Sequence, residues 1–245
     1  MISVIMQSYL GDYPDSRKNP EEKFIRAVNS FLKQTNKNTE LVIASDGCQL
    51  TESIYKEKWI GEDRIKFIKI ENNQRMYQKE ESMTFYRGLP RQTAKEIASG
   101  DIITYMDSDD FILPDYLELL DRYWEENPEL DWIVNMSWYD NIKIIESPTI
   151  GYYQIFETQK IEDSKKIEGL DSLWIKARVK NEFIVMSPAL LSHKKSCSTK
   201  WEDTYSERQS EDQLFNRKLR QEYKKGTLID LTGYVRCHLK KKWDL

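Results

Sequence analysis

The sequence predicts an α/β fold: a mainly parallel twisted sheet with helices on both faces. Two observations predict it. Short apolar runs alternate with helical patterns over the first 140 residues, and their spacing suits right-handed crossovers between parallel strands. Several of the runs also end in polar or acidic residues, as strands of such a sheet do where a ligand site lies at their carboxyl ends.

The elements follow in order. Ile2 to Met6 is short, apolar and bounded by polar residues, which predicts a buried strand. After a polar segment with Gly11 and Pro14, residues Phe24, Val28, Phe31 and Leu32 recur at helical spacing, with Asn19 as N-cap and Pro20 at the first helical position. Leu41 to Ala44 forms a second strand ending in Ser45-Asp46-Gly47, Thr51 to Trp59 a helix, and Ile65 to Ile70 a third strand. Residues 71 to 88 have no clear period and read as a long surface loop, of the kind that forms lids or binding loops. Arg91 to Ser99 reads as a helix stopped by Gly100. Ile102 to Met106 is a fourth strand running into Asp107-Ser108-Asp109-Asp110, and Pro114-Asp115 opens a helix with Leu117, Leu120 and Trp124 on one face. Beyond Asp131 the pattern loosens: Trp132 to Trp138 and Glu182 to Met186 look like strands, residues 140 to 180 are mixed, and Ser210 to Tyr223 is a helix.

The 245 residues suit one large α/β domain, and with 39% hydrophobic residues they supply a sizeable core. A charged share of 32% and the lack of an apolar run near ~18 to 20 residues exclude a membrane-embedded protein. The first residues lack a basic segment and a small-residue cleavage site, so no signal peptide is expected. Cys48, Cys197 and Cys237 show neither metal-finger spacing nor a disulfide framework, which points to a reducing, cytoplasmic setting. A net charge of −4 speaks against non-specific nucleic-acid binding. The late basic group Arg236 and Lys240 to Lys242, followed by Trp243, reads as a solvated tail or as a contact for an acidic acceptor or the inner membrane face.

Three strand ends gather polar residues at one sheet edge: Gln7-Ser8-Tyr9, Ser45-Asp46-Gly47 and Asp107-Ser108-Asp109-Asp110. Closely spaced carboxylates repel unless a cation lies between them. Hard oxygen ligands suit Mg²⁺ or Mn²⁺, which takes one or two protein carboxylates and completes its shell with water and phosphate. In isolation such a run is a solvated turn and helix cap; directly after a buried strand it reads as a metal site. Ser210-Glu211-Asp212-Gln213 has two readings as well: a capping box with acids in the first helical turn, or a carboxylate base for an acceptor hydroxyl. Arg91 could neutralise a diphosphate through its planar fork. His238 reads as a tail residue or as a late metal or phosphate ligand, and His193, beside Lys194 and Lys195, as surface. Trp201, Tyr205, Trp138 and Tyr139 are core candidates that could instead wall a sugar site.

Together these pieces resemble the inverting family 2 glycosyltransferases, which have the GT-A fold. Ile2-Ser3-Val4-Ile5-Met6 is similar to the family's opening strand, and Ser30-Phe31-Leu32-Lys33-Gln34-Thr35 to the end of its first helix. Glu40 to Gly47 is similar to its second strand with the acid–Gly ending, and Arg91 to Asp101 to its helix and Ala-x-Gly step. Asp107-Ser108-Asp109 falls where the family has its D-x-D, and Glu211-Asp212 where it has its E-D pair. Ser45 stands where an acid is common, and Gln7 where a Pro is usual.

The resemblance implies one GT-A domain over residues 1–245. Residues 1–110 would be the nucleotide-sugar-binding half, and 111–245 the acceptor-binding half, with a smaller mixed sheet and the C-terminal tail. It implies a metal-dependent, inverting transfer from a nucleoside-diphosphate sugar, foremost a UDP-sugar, to a hydroxyl acceptor in glycan biosynthesis. Tyr9 would lie against the base, Asp46 accept a hydrogen bond from it, Asp107 contact the ribose or metal-bound water, and Arg91 face the diphosphate. Asp109, with His238, would hold Mn²⁺ or Mg²⁺; Asp212 would be the base, with Glu211 the second choice. A glycan, a lipid-linked glycan or another hydroxyl compound is the expected acceptor, with nucleic acid a remote one. A non-catalytic carbohydrate-binding or degenerate transferase-like protein is the alternative class. A sugar-phosphate nucleotidyltransferase is a further one, disfavoured because Gln7-Ser8-Tyr9-Leu10-Gly11-Asp12 carries a single glycine.

Overall fold

Ten strands hydrogen-bond into one sheet in the computed structural model of the chain, which describes residues 1–11, 19–71, 77–79, 82–84, 88–140, 159–166, 173–179, 188–202 and 211–236. Strand β1 (Ile2–Ser8) lies in its parallel part, between β2 (Thr39–Asp46) and β6 (Ile102–Tyr105), with β3 (Ile65–Ile70) outside β2. β1 and β2 are apolar runs buried on both faces, as parallel strands covered by helices must be, while β3 at the edge is only partly buried. The sheet continues beyond β6 through antiparallel β11 (Leu191–Lys194) to β8 (Trp132–Asp140), then to β10 (Leu173–Val179) and β9 (Gln159–Lys166). Strand β12 (Gly226–Arg236) runs parallel to β8 and pairs with the short β7 (Phe111–Ile112). The parallel and mixed parts are therefore continuous, joined at β11.

Helix α1 (Pro20–Leu32) buries Phe24, Ala27, Val28 and Phe31, the stripe that its 3.6-residue period requires. Asn19 precedes it in the left-handed region at φ 54° and makes no side-chain cap, so Pro20 rather than an N-cap bond marks its start. Helix α2 (Gln49–Lys58) follows β2, α3 (Gly88–Ile97) precedes β6, and α4 (Tyr116–Glu126) buries Tyr116, Leu117, Leu120 and Trp124. Helix α5 (Glu211–Glu222) packs Phe215 and Leu219 inward. Within the expected loop at 71 to 88, β4 (Tyr77–Lys79) and β5 (Ser82–Thr84) pair antiparallel as a hairpin. Each strand is only three residues long, too short for a period to register. The strand expected at 182 to 186 lies outside the described residues.

The Gln34-Thr35 pair has a structural duty. Gln34 is fully buried; its amide nitrogen donates to the Ser30 and Leu113 carbonyls (3.1 and 2.7 Å), and its amide oxygen accepts from the Leu117 backbone N–H (2.9 Å). That last bond caps an orphan donor in the first turn of α4. Thr35 donates its backbone N–H to the Pro114 carbonyl (2.8 Å) and its hydroxyl to Glu118 (2.6 Å). The end of α1 thus fixes the segment that follows the acidic run.

Candidate active site

Because β2, β1 and β6 are parallel, Asp46, Tyr9 and Asp107 emerge at the same sheet edge. Ser8 pairs in register with Ser45, so Tyr9 and Asp46 follow on neighbouring strands. Asp46 is buried, and Gly47 turns the chain at φ 64°, a value that favours glycine. Tyr9 is partly buried against the core. The chain then folds back over its ring: a Cβ on Gly11 would come within 2.6 Å of Tyr9 Cζ.

The acidic run divides by direction. Asp107 to Asp110 form a tight turn, closed by the Asp110 N–H donating to the Asp107 carbonyl at 3.2 Å. Asp110 points inward, fully buried, and its carboxylate accepts from the Tyr234 hydroxyl at 2.8 Å. The same phenol oxygen accepts the Asp107 N–H at 3.0 Å. Burial, reinforced by the Asp110 and Asp107 charges, pushes the Tyr234 phenol well above its ordinary range, so its proton stays available for Asp110. Asp107 and Asp109 remain partly exposed on the turn. Arg26 of α1 supports it from below, donating to the Asp109 carbonyl at 2.7 Å while lying over the Phe111 ring at 5.2 Å. Sequence reasoning did not find Arg26, since nothing in local spacing relates it to a turn 83 residues later.

Arg91 joins the two acidic motifs. Its side chain is 5% exposed, with one guanidinium nitrogen 3.1 Å from Glu211 and another 3.7 Å from Asp107. The guanidinium lies 4.8 Å from the centre of the Trp201 ring. Helix α5 therefore brings Glu211 to the acidic turn, with Asp212 next to it and partly exposed. Of the expected residues, Arg91, Asp107 and Glu211 are in direct contact. Ser210, Tyr205 and His238 lie outside the described residues, and Trp138 and Tyr139 fall within β8.

Expected at the surface, His193 is fully buried, because β11 is an interior strand. Its ring is satisfied by the Tyr105 hydroxyl at 2.9 Å and the Lys194 carbonyl at 2.7 Å. Burial first, then the nearby Lys95 charge, lowers its pKa to about 3, so it is a neutral core histidine.

Among the described residues no group of three or more His, Cys, Asp or Glu side chains is placed to hold an ion by itself. Mg²⁺ or Mn²⁺ needs only one or two protein carboxylates. Partly exposed Asp107 and Asp109 on one turn, with Asp110 turned away into the core, are a donor set that fits such an ion when phosphate and water complete its shell.

Comparison with known proteins agrees with this architecture. The sequence profile of glycosyl transferase family 2 matches residues 88–171. An uncharacterized glycosyltransferase of Methanocaldococcus jannaschii is 27% identical over 184 residues, covering 73% of this chain and 57% of that protein. The Escherichia coli UDP-Glc:alpha-D-GlcNAc-diphosphoundecaprenol beta-1,3-glucosyltransferase WfgD is 29% identical over 153 residues, 61% of this chain and 49% of its own length. The chain thus spans about half the length of these relatives. Among solved structures, Staphylococcus aureus TarS 1-349 in complex with UDP-GlcNAc superposes with a TM-score of 0.65 at 19% identity, over 98% of this chain and 59% of that one. The shared fold, the family match over the acidic run and the relatives' common class agree: residues 88–171 match glycosyl transferase family 2, the chain is similar to glycosyltransferases, and it has the GT-A fold seen in TarS.

Proposed function

We propose that this chain is a metal-dependent, inverting glycosyltransferase that moves a sugar from a nucleoside-diphosphate sugar, foremost a UDP-sugar, to a hydroxyl acceptor. The observation that carries the reading is Arg91, held between Asp107 of the donor-side turn and Glu211 of the helix that bears Asp212. One buried cation thereby sets the distance between the residues assigned to the leaving group and those assigned to the acceptor. A TarS structure contains UDP-GlcNAc and WfgD is named for a UDP-glucose donor, which supports the choice of donor.

In this reading Tyr9 and Asp46 receive the base, Asp107 the ribose side, and Arg91 the diphosphate. Asp109, with Asp107 beside it, would hold Mn²⁺ or Mg²⁺; when bound, the ion offsets the charge that develops on the departing diphosphate. An acceptor oxygen attacks the anomeric carbon, the new carbon–oxygen bond forms as the sugar–phosphate bond breaks, and the nucleoside diphosphate leaves with the bonding electrons. The hydroxyl proton passes to a carboxylate on the opposite face, which gives inversion. Asp212 is the better base of the two acids, since the Glu211 carboxylate is engaged by Arg91 and only 12% exposed. General-base catalysis of this kind contributes roughly 10²- to 10⁴-fold.

The acceptor belongs to glycan biosynthesis, and a lipid-linked glycan is one candidate, as WfgD is named for a diphosphoundecaprenol substrate. No helix among the described residues is long and apolar enough to cross a membrane; the setting proposed for this chain is cytoplasmic, peripheral at the inner membrane face if the acceptor is lipid-linked. The test is a donor panel with Mn²⁺ on wild type, Asp109→Ala and Asp212→Asn. Cleavage of one donor that both variants lose supports the reading; an inert wild type, or variants as active as wild type, overturns it.

A further inference from the structure

Arg91 is a long side chain with several rotatable bonds, yet it lies between two carboxylates, 3.1 Å from Glu211 and 3.7 Å from Asp107. Opposite charges alone do not fix such a geometry, because a flexible cation can satisfy them in many ways. A further wall is Trp201, 4% exposed and 4.8 Å from the guanidinium, within the range of a cation–π contact.

Trp201 itself has little freedom. Its indole N–H donates to the Tyr105 hydroxyl at 3.0 Å, and its ring stacks on Phe215 with centroids 4.0 Å apart and planes 3° from parallel. Its backbone N–H donates to the Gln92 side chain at 3.0 Å. The strap leading to it is tied down on both sides. Lys95 of α3 donates to the Cys197 and Thr199 carbonyls at 2.9 and 2.7 Å, while the Ser198 N–H donates to Tyr223 at 2.8 Å and the Thr199 hydroxyl to Glu222. Tyr105 lies two residues before Asp107, Phe215 four after Glu211, and Gln92 beside Arg91. One indole therefore touches every element that contributes to the Arg91 cluster.

We propose that Trp201 is a positioning residue: its indole, locked by Tyr105 and Phe215, holds the Arg91 guanidinium in register with Asp107 and Glu211. Phenylalanine could offer Arg91 a ring and keep the stack on Phe215, but only tryptophan also donates to Tyr105. The inference rests on the donor-site reading for its binding test and stands apart from it for its stability test.

Both tests use a double-mutant cycle of Trp201→Leu and Arg91→Ala. UDP affinity with Mn²⁺ is measured by calorimetry, and the unfolding equilibrium by urea titration. Trp201→Leu should weaken UDP binding about 5- to 10-fold when Arg91 is present and less than about twofold when Arg91 is alanine. With a cleaved donor, its KM should rise more than its kcat falls, and Trp201→Phe, which keeps a ring for Arg91 and the stack on Phe215 but not the bond to Tyr105, should restore part of the affinity. The unfolding equilibrium constants should show a coupling of at least about threefold between the two sites. Additive losses in both measurements overturn the proposal and leave Trp201 a core aromatic. If Arg91→Ala binds UDP as wild type does, the donor-site reading of Arg91 fails instead, and the unfolding cycle alone decides the role of Trp201.

Discussion

Arg91 on α3 and Glu211 at the first turn of α5 meet at 3.1 Å, 120 residues apart in sequence and both nearly excluded from solvent. The pair ties the first turn of α5 to α3, beside the Phe215 stack on Trp201 that holds the same helix. Breaking one partner of a buried pair leaves the other charge desolvated and uncompensated.

Arg91→Ala should therefore lower stability by about 2 to 4 kcal/mol and weaken UDP binding at least about tenfold. Arg91→Lys should recover part of the stability and little of the binding, because an ammonium cannot reach two acids and a phosphate with a planar fork. Urea unfolding and calorimetric titration with UDP and Mn²⁺ check both halves.

Tyr234 links the core to the acidic turn through one oxygen, which accepts from Asp107 and donates to Asp110. Tyr234→Phe leaves a buried carboxylate and a backbone N–H without that partner. The expected loss is about 1 to 3 kcal/mol of stability, together with weaker Mn²⁺-dependent UDP binding, since the turn carrying Asp109 loses its anchor. A variant that unfolds like wild type would show that the phenol is dispensable there.

Gly233 brings β12 against the fully buried Tyr116 ring: a Cβ there would lie 2.6 Å from Tyr116 Cδ2 and 2.7 Å from its Cβ. Tyr116 has no room to yield, as its hydroxyl also donates to Asn135 at 3.1 Å. Gly233→Ala should cost about 1 to 3 kcal/mol by overpacking, read as a lower urea midpoint with an unchanged slope.

His193 gives a pH dependence with a definite sign. Burial lowers its pKa from 6.5 to about 3, so the folded state keeps it neutral while the unfolded chain takes up a proton below about pH 6.5. Its contribution is fully present above that pH and is lost as pH falls from about 6.5 towards about 3, with a slope approaching about 1.4 kcal/mol per pH unit. Urea titrations of wild type and His193→Gln at pH 7, 6 and 5 should show the stability gap between them narrowing as pH falls. A constant gap contradicts the assignment.

The parallel half of the fold was legible because buried strands and helices impose periods of their own, and β1, β2, β3 and β6 all lie where apolar runs predict them. The direction of side chains was not legible. The sequence offered four adjacent residues at Asp107 to Asp110 with no means of showing that Asp110 turns inward to Tyr234. His193 was misplaced because two neighbouring lysines suggest a surface, whereas the pairing of β11 between β6 and β8 buries it and supplies both ring nitrogens with partners. Gln34 and Thr35 were recognisable as a pattern, but their task of capping α4 and holding Pro114 depends on a contact across roughly eighty residues. Arg26 and Trp201 act through equally distant partners.

The central claim is that Asp109 and Asp212 serve donor and acceptor within one glycosyl-transfer site. It is tested most directly by the rate of nucleoside-diphosphate release from a UDP-sugar panel with Mn²⁺ and a hydroxyl acceptor. Wild type should release UDP from at least one donor. Asp212→Asn should turn over roughly 10²- to 10⁴-fold more slowly with nearly unchanged UDP affinity, and Asp109→Ala should lose Mn²⁺-dependent UDP binding. Asp212→Asn turning over at the wild-type rate, or Asp109→Ala binding UDP as tightly as wild type, would contradict the account.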